Sequence, residues 1–585
     1  MIALILIVPL IIALIAVLVL PQELSKVASI AGSVAGLALL AFVSMGTYTL
    51  QWFSSSGFTF SIVTSISQIN MLLLGMILSI APLVLLYSFG FIDTPSQQRR
   101  FYVEMLAFET SMVLFAMSGS FITMFIAWEF LSLTSYLLIG FWNEKEQANA
   151  AARKAITMVF IGDIAIFAAI VIAAVAFNTL TFSGVISSIS SNGVAAFAIA
   201  VLLSIAVLTK SAQFPFQEWL TDAMEGPAPV SAFLHSTTMV KAGIFLVIVL
   251  LPIFAGTGIA SIISVISLIT VAIATMNALK EMHVKKIIAY STIQELGLML
   301  FAVSSGAVLA GVFLFFAQSF YKALLFFSAG SMMKATGEED IRKIHGLRNR
   351  KVLYIATAAG VLSLVGFFPF SGFFASSALG SAFSANLFYY VVLNAFGLLT
   401  SFYMFRWLFF TSRKTGDAKV TVGYESLPRS MIIGAVVLGA ATLLVSFTFL
   451  YYSSLFSVPY QVLLQLNTGT LDGIIVMAIA LAGGVASYIA FRRGMVLKSK
   501  AVNSVLYSKN FFNWLYLVTA NFVLGIASGA LLFESLLDNA FKYFAAAVYD
   551  SAQLVRKLSY GEINAYVLTL SVALISIFIF VYLVK

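Results

Sequence analysis

Titratable side chains recur inside stretches that are otherwise apolar. Glu129 lies in AWEFLSLTSYLLIGFW, Asp163 in IGDIAIF, Lys210 in LLSIAVLTKSAQFPF, Glu295 in YSTIQELGLM and Lys322 in QSFYKALLFF, while His235 and Lys241 share SAFLHSTTMVKAGIFL. At the centre of a membrane helix each charge costs about 2.5–3.5 kcal/mol on insertion scales, so a series of them marks either a packing device or an ion path. Burial and a nearby carboxylate act on a lysine in opposite senses, and a Lys–Glu pair whose separation varies takes up and releases a proton near neutral pH. Lysine suits that work because its proton affinity shifts readily, which arginine's does not. The chemistry implied is proton transfer at depth. The competing reading is a static ion pair that fixes helix packing. Arg406, near a span end and able to snorkel, fits that second reading, and Glu104 and Glu109 of the fourth span lean the same way. A lone histidine is usually a packed core residue, but His235 stands six residues from a buried lysine, a setting suited to a relay.

Two prolines open the backbone around these groups. Each sits in the tripeptide FPF in the middle of an apolar run, at Pro215 and Pro369. Pro215 cannot donate to the carbonyl of Ser211, nor Pro369 to that of Val365. In lipid such carbonyls need protein or water partners. Water held at Ser211 would lie one residue from Lys210. His235 and Lys241 are separated by about 240° at helical pitch, so on one continuous helix a relay between them needs water or a third group.

The elements that position these residues are membrane spans. The 585 residues are 61% hydrophobic and 9% charged, where a soluble protein shows about 25% charged. Apolar runs of about 20 residues recur throughout, enough to cross about 30 Å of hydrocarbon. The expected fold is an all-α polytopic membrane protein of about 16 transmembrane helices; the alternating strands of a membrane barrel are absent. The first run lacks a basic n-region and an A-x-A site and reads as a retained span. The segment 46–70 is polar and suits a small surface hairpin. Without cysteine, disulfides, iron–sulfur clusters and thiolate metal sites are excluded. The net charge of +9 is not a nucleic-acid signal, because the basic residues sit in short loops after odd-numbered spans: Arg99 and Arg100, Arg153 and Lys154, Lys280, Lys285 and Lys286, the cluster in 334–351, Arg413, and Arg492 and Arg493. The positive-inside rule puts those loops in the cytoplasm and both termini outside. The two FPF spans lie an odd number of spans apart and so run in opposite directions, the mark of inverted repeats with broken helices. The stretch 511–558 reads as either a span followed by a surface helix or one long helix of roughly 70 Å lying along the membrane.

WEFLSLTSYLLIGFW, KSAQFPFQEWLTDAMEGPAPVSAFLHSTTMVKAG, KKIIAYSTIQELG and SFYKALLFFSAGS together resemble the antiporter-like subunits of respiratory complex I, of the large distal type (subunit L, chain 5). The resemblance covers nearly the whole chain, and it makes 511–558 a lateral amphipathic helix. The organisation it implies is an N-terminal three-helix segment (1–100), two inverted five-helix repeats (101–253 and 254–411), two further spans (412–500), the lateral helix (501–560) and a final anchoring span (561–585). By the same resemblance Glu129 and Lys210 form the pair of the first half-channel, and His235, Lys241 and Lys322 carry the proton onward. Asp163, Glu295, Gln318 and Ser376 support them.

Three features depart from the family pattern, at five positions. Histidines usual before the central lysine are Leu314 and Gln318. The exit lysine of the second broken helix is Ser376, in GFFASS, with Ser377 in place of the acid beside it. An arginine usual before the sixth-span acid is Phe160. The expectation is a membrane-arm subunit of a redox-driven proton pump in a prokaryotic cell membrane. It would hold no cofactor of its own. Quinone and iron–sulfur clusters would belong to partner subunits, alongside other antiporter-like membrane subunits and a quinone-reducing arm. The alternatives are a subunit of a multisubunit cation/proton antiporter and a scaffold that no longer pumps.

Overall fold

In hydrocarbon every backbone N–H and C=O must be satisfied within its own segment, which turns long apolar runs into helices. The computed structural model describes residues 5–55, 58–413, 424–448 and 471–493. The helices are α1 (Val8–Val19), α2 (Gln22–Leu40), α3 (Gln68–Phe91), α4 (Pro95–Ala116), α5 (Phe121–Ile139), α6 (Glu146–Phe177), α7 (Phe182–Ser188), α8 (Gly193–Lys210), α9 (Glu218–Asp222) and α10 (Ala228–Ser236). They continue with α11 (Met239–Val249), α12 (Leu251–Gly256), α13 (Ile259–Lys280), α14 (Val284–Ser304), α15 (Val308–Thr336), α16 (Lys351–Leu364), α17 (Ser371–Phe383), α18 (Leu387–Thr411), α19 (Arg429–Thr448) and α20 (Leu471–Arg492). Among the described residues, 12 spans are long and apolar enough to cross a membrane, with Ala228–Val249 taken as one. The chain is a multi-pass helical membrane protein. The expected lateral helix and final span lie outside the described residues.

The helical rule has one exception. Strands β1 (Gly46–Ser55) and β2 (Phe58–Ile66) form the antiparallel hairpin expected in the polar segment, pairing Gly46 with Ile66 and Thr49 with Val63. It is docked rather than loose. The Val63 amide donates to Thr123 Oγ1 at 2.9 Å, and the connection between α4 and α5 closes on it through Ser65 N to Met117 O and Gly119 N to Val63 O.

The two proline breaks are built alike. In the first, Ser211 N donates to Val207 O, Gln213 N to Leu208 O and Phe216 N to Gln213 O; in the second, Val365 N donates to Val361 O, Phe367 N to Leu362 O and Phe370 N to Phe367 O. At matching positions Ala212 has φ 49° and Gly366 φ 79°. The free carbonyl at the first break does not wait for water, however. Gln213 Nε2 donates to Ser211 O at 2.7 Å, and Trp219 Nε1 takes Thr209 O at 2.9 Å. The break brings its own donors for these two carbonyls, while the Ser211 hydroxyl beside them is buried with no protein partner among the described residues.

The eighth span is also broken, where the sequence read as continuous. α10 stops at Ser236 and α11 starts at Met239. Thr238 turns its hydroxyl back to Phe233 O at 2.7 Å. A Ser-Thr-Thr run whose hydroxyls compete for backbone groups was the available signal.

Gly366 is left-handed, and a Cβ there would stand 2.9 Å from Val476 Cγ1. Gly366→Ala therefore loses about 1–2 kcal/mol through the left-handed backbone alone, read as a lower unfolding midpoint of the purified protein.

One end of the molecule is laced by charges. His283 meets Glu339 at 3.1 Å, Lys334 meets Asp93 at 2.6 Å, Lys286 meets Glu225 at 3.3 Å, and Arg413 donates to Arg342 O. The hydrogen bond from His283 holds the Glu339 carboxyl low, at about 2. Arg406, read as a packing residue, is one: its guanidinium caps the end of α13 at Ala278 O and Glu281 O, both at 2.9 Å.

Candidate functional site

Among the described residues, three lysines stand fully buried along the interior: Lys210 at the end of α8, Lys241 in α11 and Lys322 in α15. Charges cannot rest there without partners, and each has a different set.

Lys210 Nζ lies 2.5 Å from Ser132 Oγ, 3.2 Å from Trp128 O and 4.4 Å from the centre of the Trp128 ring. Its ion pair is with Asp163, at 4.0 Å. Asp163 is itself gripped by Trp128 Nε1 at 2.6 Å and Ser132 Oγ at 3.2 Å. Close helix approach makes this contact possible: a Cβ on Gly162 would lie 2.2 Å from Thr209 Oγ1. Glu129 is half-buried and interacts electrostatically with both Asp163 and Lys210. Among the described residues, no ion pair within 4 Å joins Glu129 to Lys210. Sequence reasoning placed Asp163 in support and missed Trp128 and Ser132 altogether, although both occur in the segment that drew attention to Glu129.

Lys322 has the tighter arrangement. Its Nζ is 2.9 Å from Glu295 Oε2 and 2.5 Å from Ser291 Oγ. Tyr321 OH donates to Glu295 Oε1 at 2.9 Å. The neighbouring Gln294, also missed, ties α14 to α18 through Thr400 Oγ1 at 2.7 Å and Tyr403 OH at 2.5 Å.

Lys241 lacks a carboxylate contact among the described residues. It donates to Phe315 O and Ser319 Oγ and sits 4.6 Å from the Phe315 ring centre. The His235 ring lies against Phe326 at a tilt of 47°, centres 4.8 Å apart. Both its ring nitrogens, both amide atoms of Gln318, and the hydroxyls of Ser236 and Thr237 are buried and have no protein hydrogen-bond partner among the described residues. Buried polar groups are nearly always satisfied, by protein or by ordered water, so the stretch between the lysines is suited to water. Gln318 lies one turn before Lys322 on α15. Ser376, at the other side of Lys322, shares a cavity of about 90 Å³ with Glu295.

Pro215 and Pro369 serve this site by ending α8 and α16 inside the protein, which leaves Lys210 at a helix end. The arrangement can hold protons on three lysines, two acids and a histidine, with Glu129 beside the first pair.

A charged interior strung through membrane-spanning helices defines a polytopic membrane protein with buried ion pairs. Residues 118–401 match the family described as NADH:quinone oxidoreductase/Mrp antiporter, TM. The chain is 36% identical over 383 residues to the NAD(P)H-quinone oxidoreductase subunit 5, organellar chromatophore 1, of Paulinella chromatophora, covering 62% of this chain and 57% of that protein. It is 33% identical over 360 residues to the Na(+)/H(+) antiporter subunit A1 of Staphylococcus aureus, covering 58% of this chain and 45% of the relative. The chain thus spans well under two thirds of the length of either relative. Its fold is similar to a chain in the structure of the Mrp complex from Dietzia sp. DQ12-45-1b, with TM-score 0.72 and 20% identity over 99% of this chain and 63% of that one.

Proposed function

We propose that the chain is a proton-translocating membrane-arm subunit of a complex I-like, redox-driven pump. The observation that carries this reading is the pair of buried acid–lysine contacts, Asp163–Lys210 at 4.0 Å and Glu295–Lys322 at 2.9 Å, with unpartnered polar side chains between them. Each lysine binds a proton when its carboxylate is near and yields it when the two draw apart. Quinone reduction in partner subunits would drive that separation through the electrostatics of the polar line. This chain supplies no redox chemistry in the scheme; quinone and iron–sulfur clusters belong to the partners.

The rest of the architecture follows the same reading. That reading gives about 16 spans, ten of them in two inverted five-helix repeats; its lateral helix and final anchor fall outside the described residues. The shared hydrogen-bond pattern of the two proline breaks supports the repeats. The chain would sit in a prokaryotic cell membrane with its basic loops in the cytoplasm and both termini outside. Other antiporter-like membrane subunits and a quinone-reducing arm would be its partners.

A second reading, a subunit of a multisubunit cation/proton antiporter, is favoured by the similarity to the Staphylococcus antiporter subunit. One experiment separates the two. Lys210→Ala is introduced into the intact complex in inverted membrane vesicles, and quinone reduction and proton uptake are followed together. Retained assembly with donor-driven proton uptake reduced about 100-fold or more supports the redox pump. Uptake that ignores the electron donor and follows an imposed sodium gradient assigns the chain to the antiporter class. Unchanged uptake leaves it a scaffold.

A further inference from the structure

The cavity beside Glu295 poses a problem of exit. It is lined by Glu295, Gln294, Ser376, Gly380 and Asn394 and closed by Val476 of α20. Its volume of about 90 Å³ exceeds what a water molecule needs, and these polar groups supply the two to four partners such a water requires. Serine at 376 can orient water but cannot store a proton.

A carboxylate stands at the far side. Asp472 opens α20 one turn before Val476, so the two share a helix face. It reaches back to the cavity rim: a Cβ on Gly380 would meet Asp472 Cβ at 3.8 Å and Oδ1 at 4.0 Å. Its Oδ2 accepts from Ser381 Oγ at 2.7 Å and its Oδ1 from Tyr390 OH at 2.7 Å. Asn394, a lining residue, donates to Tyr390 O at 2.8 Å. Asp472 is half-buried. No lysine or arginine occurs between Arg429 and Arg492 in the sequence, and among the described residues no ion pair engages the carboxylate. This end of the molecule lies opposite the laced basic end, since α14, α15 and α18 all have their charged termini at the other.

We propose that Asp472 is the terminal proton acceptor of this cavity, taking protons that leave the Lys322–Glu295 pair and handing them to the aqueous phase opposite the basic loops. The idea rests on the proton-translocating reading above. In the step, protonated Glu295 gives its proton to cavity water as the carboxylate re-forms. The water passes a proton to the Asp472 carboxylate. The resulting acid loses it to bulk water, which restores the Asp472 carboxylate and leaves Glu295 deprotonated until the Lys322 ammonium passes it the next proton.

The test uses the intact complex in inverted membrane vesicles. Asp472→Asn lowers proton translocation about 100-fold, the low end of what a positioned proton carrier contributes, and Asp472→Glu restores much of it. Tyr390→Phe and Ser381→Ala remove the carboxylate's hydrogen bonds but keep the carboxylate, and leave translocation within about twofold; a merely structural Asp472 would make them as harmful as Asp472→Asn. Because the chain has no cysteine, Asn394→Cys can be probed with a membrane-impermeant thiol reagent, which labels it from the side opposite the basic loops. Normal translocation in Asp472→Asn, or no labelling from that side, overturns the proposal. Lys322→Ala is the control: if it too translocates normally, the proposed function itself fails, whereas if it is inactive and Asp472→Asn is not, only this route falls.

Discussion

Lys322→Ala stops proton translocation and destabilises the protein by about 3–5 kcal/mol, the usual cost of removing one partner of a buried ion pair. Lys322 is fully buried, and its ammonium is the ionic partner of Glu295 at 2.9 Å. Without it the Glu295 carboxylate keeps only the hydroxyl of Tyr321. Two effects are then mixed in one phenotype, and a second variant separates them. Lys322→Met with Glu295→Gln removes both charges while holding the volume. Thermal stability of the double variant returns toward the starting value, since no charge is left alone, but translocation does not. A double variant that still translocates would reduce the pair to a packing device.

Asp163→Asn costs more stability than Glu129→Gln, by several kcal/mol against less than about 1 kcal/mol. Asp163 is buried and provides the carboxylate 4.0 Å from Lys210, while Glu129 is half-buried and has other means of solvation. Asn at 163 retains an oxygen for Trp128 but leaves Lys210 with only a carbonyl, a hydroxyl and the Trp128 ring. The measurement is a double-mutant cycle of each acid with Lys210→Ala, which isolates the pairwise term. Stronger coupling to Asp163 is expected. If Glu129 couples as strongly, the resting partner of Lys210 has been misassigned. Both single variants impair translocation, Glu129→Gln by removing a carboxylate that Lys210 can approach on moving.

Much of this was legible in the sequence because membranes make sequences explicit. Long apolar runs announced the helices. The charges inside those runs located the site, since few residues survive there without reason. What escaped were matters of packing. Whether Lys210 meets Glu129 or Asp163 depends on how closely α6 approaches α8, and Gly162 settles that without any periodic signal. The break after Ser236 has no proline to announce it, and the donor for Ser211 O is a glutamine two residues away that the linear pattern could not aim. Asp472 drew no attention because it lies at a span end, where a lone acid is ordinary, and its significance comes from helices far away in sequence.

The laced basic end has a kinetic consequence. Helix ends tied by His283–Glu339, Lys334–Asp93 and the Arg406 cap open rarely, so their amides exchange hydrogen slowly and nearly as a unit. Among the described residues, the opposite end is joined by aromatic contacts, such as Phe301 with Phe383 at 4.7 Å and Phe301 with Tyr389 at 5.2 Å, and by the hydrogen bonds of Asp472 with Ser381 and Tyr390. The two ends are therefore held differently, and added salt, which screens exposed ion pairs, loosens the first and not the second.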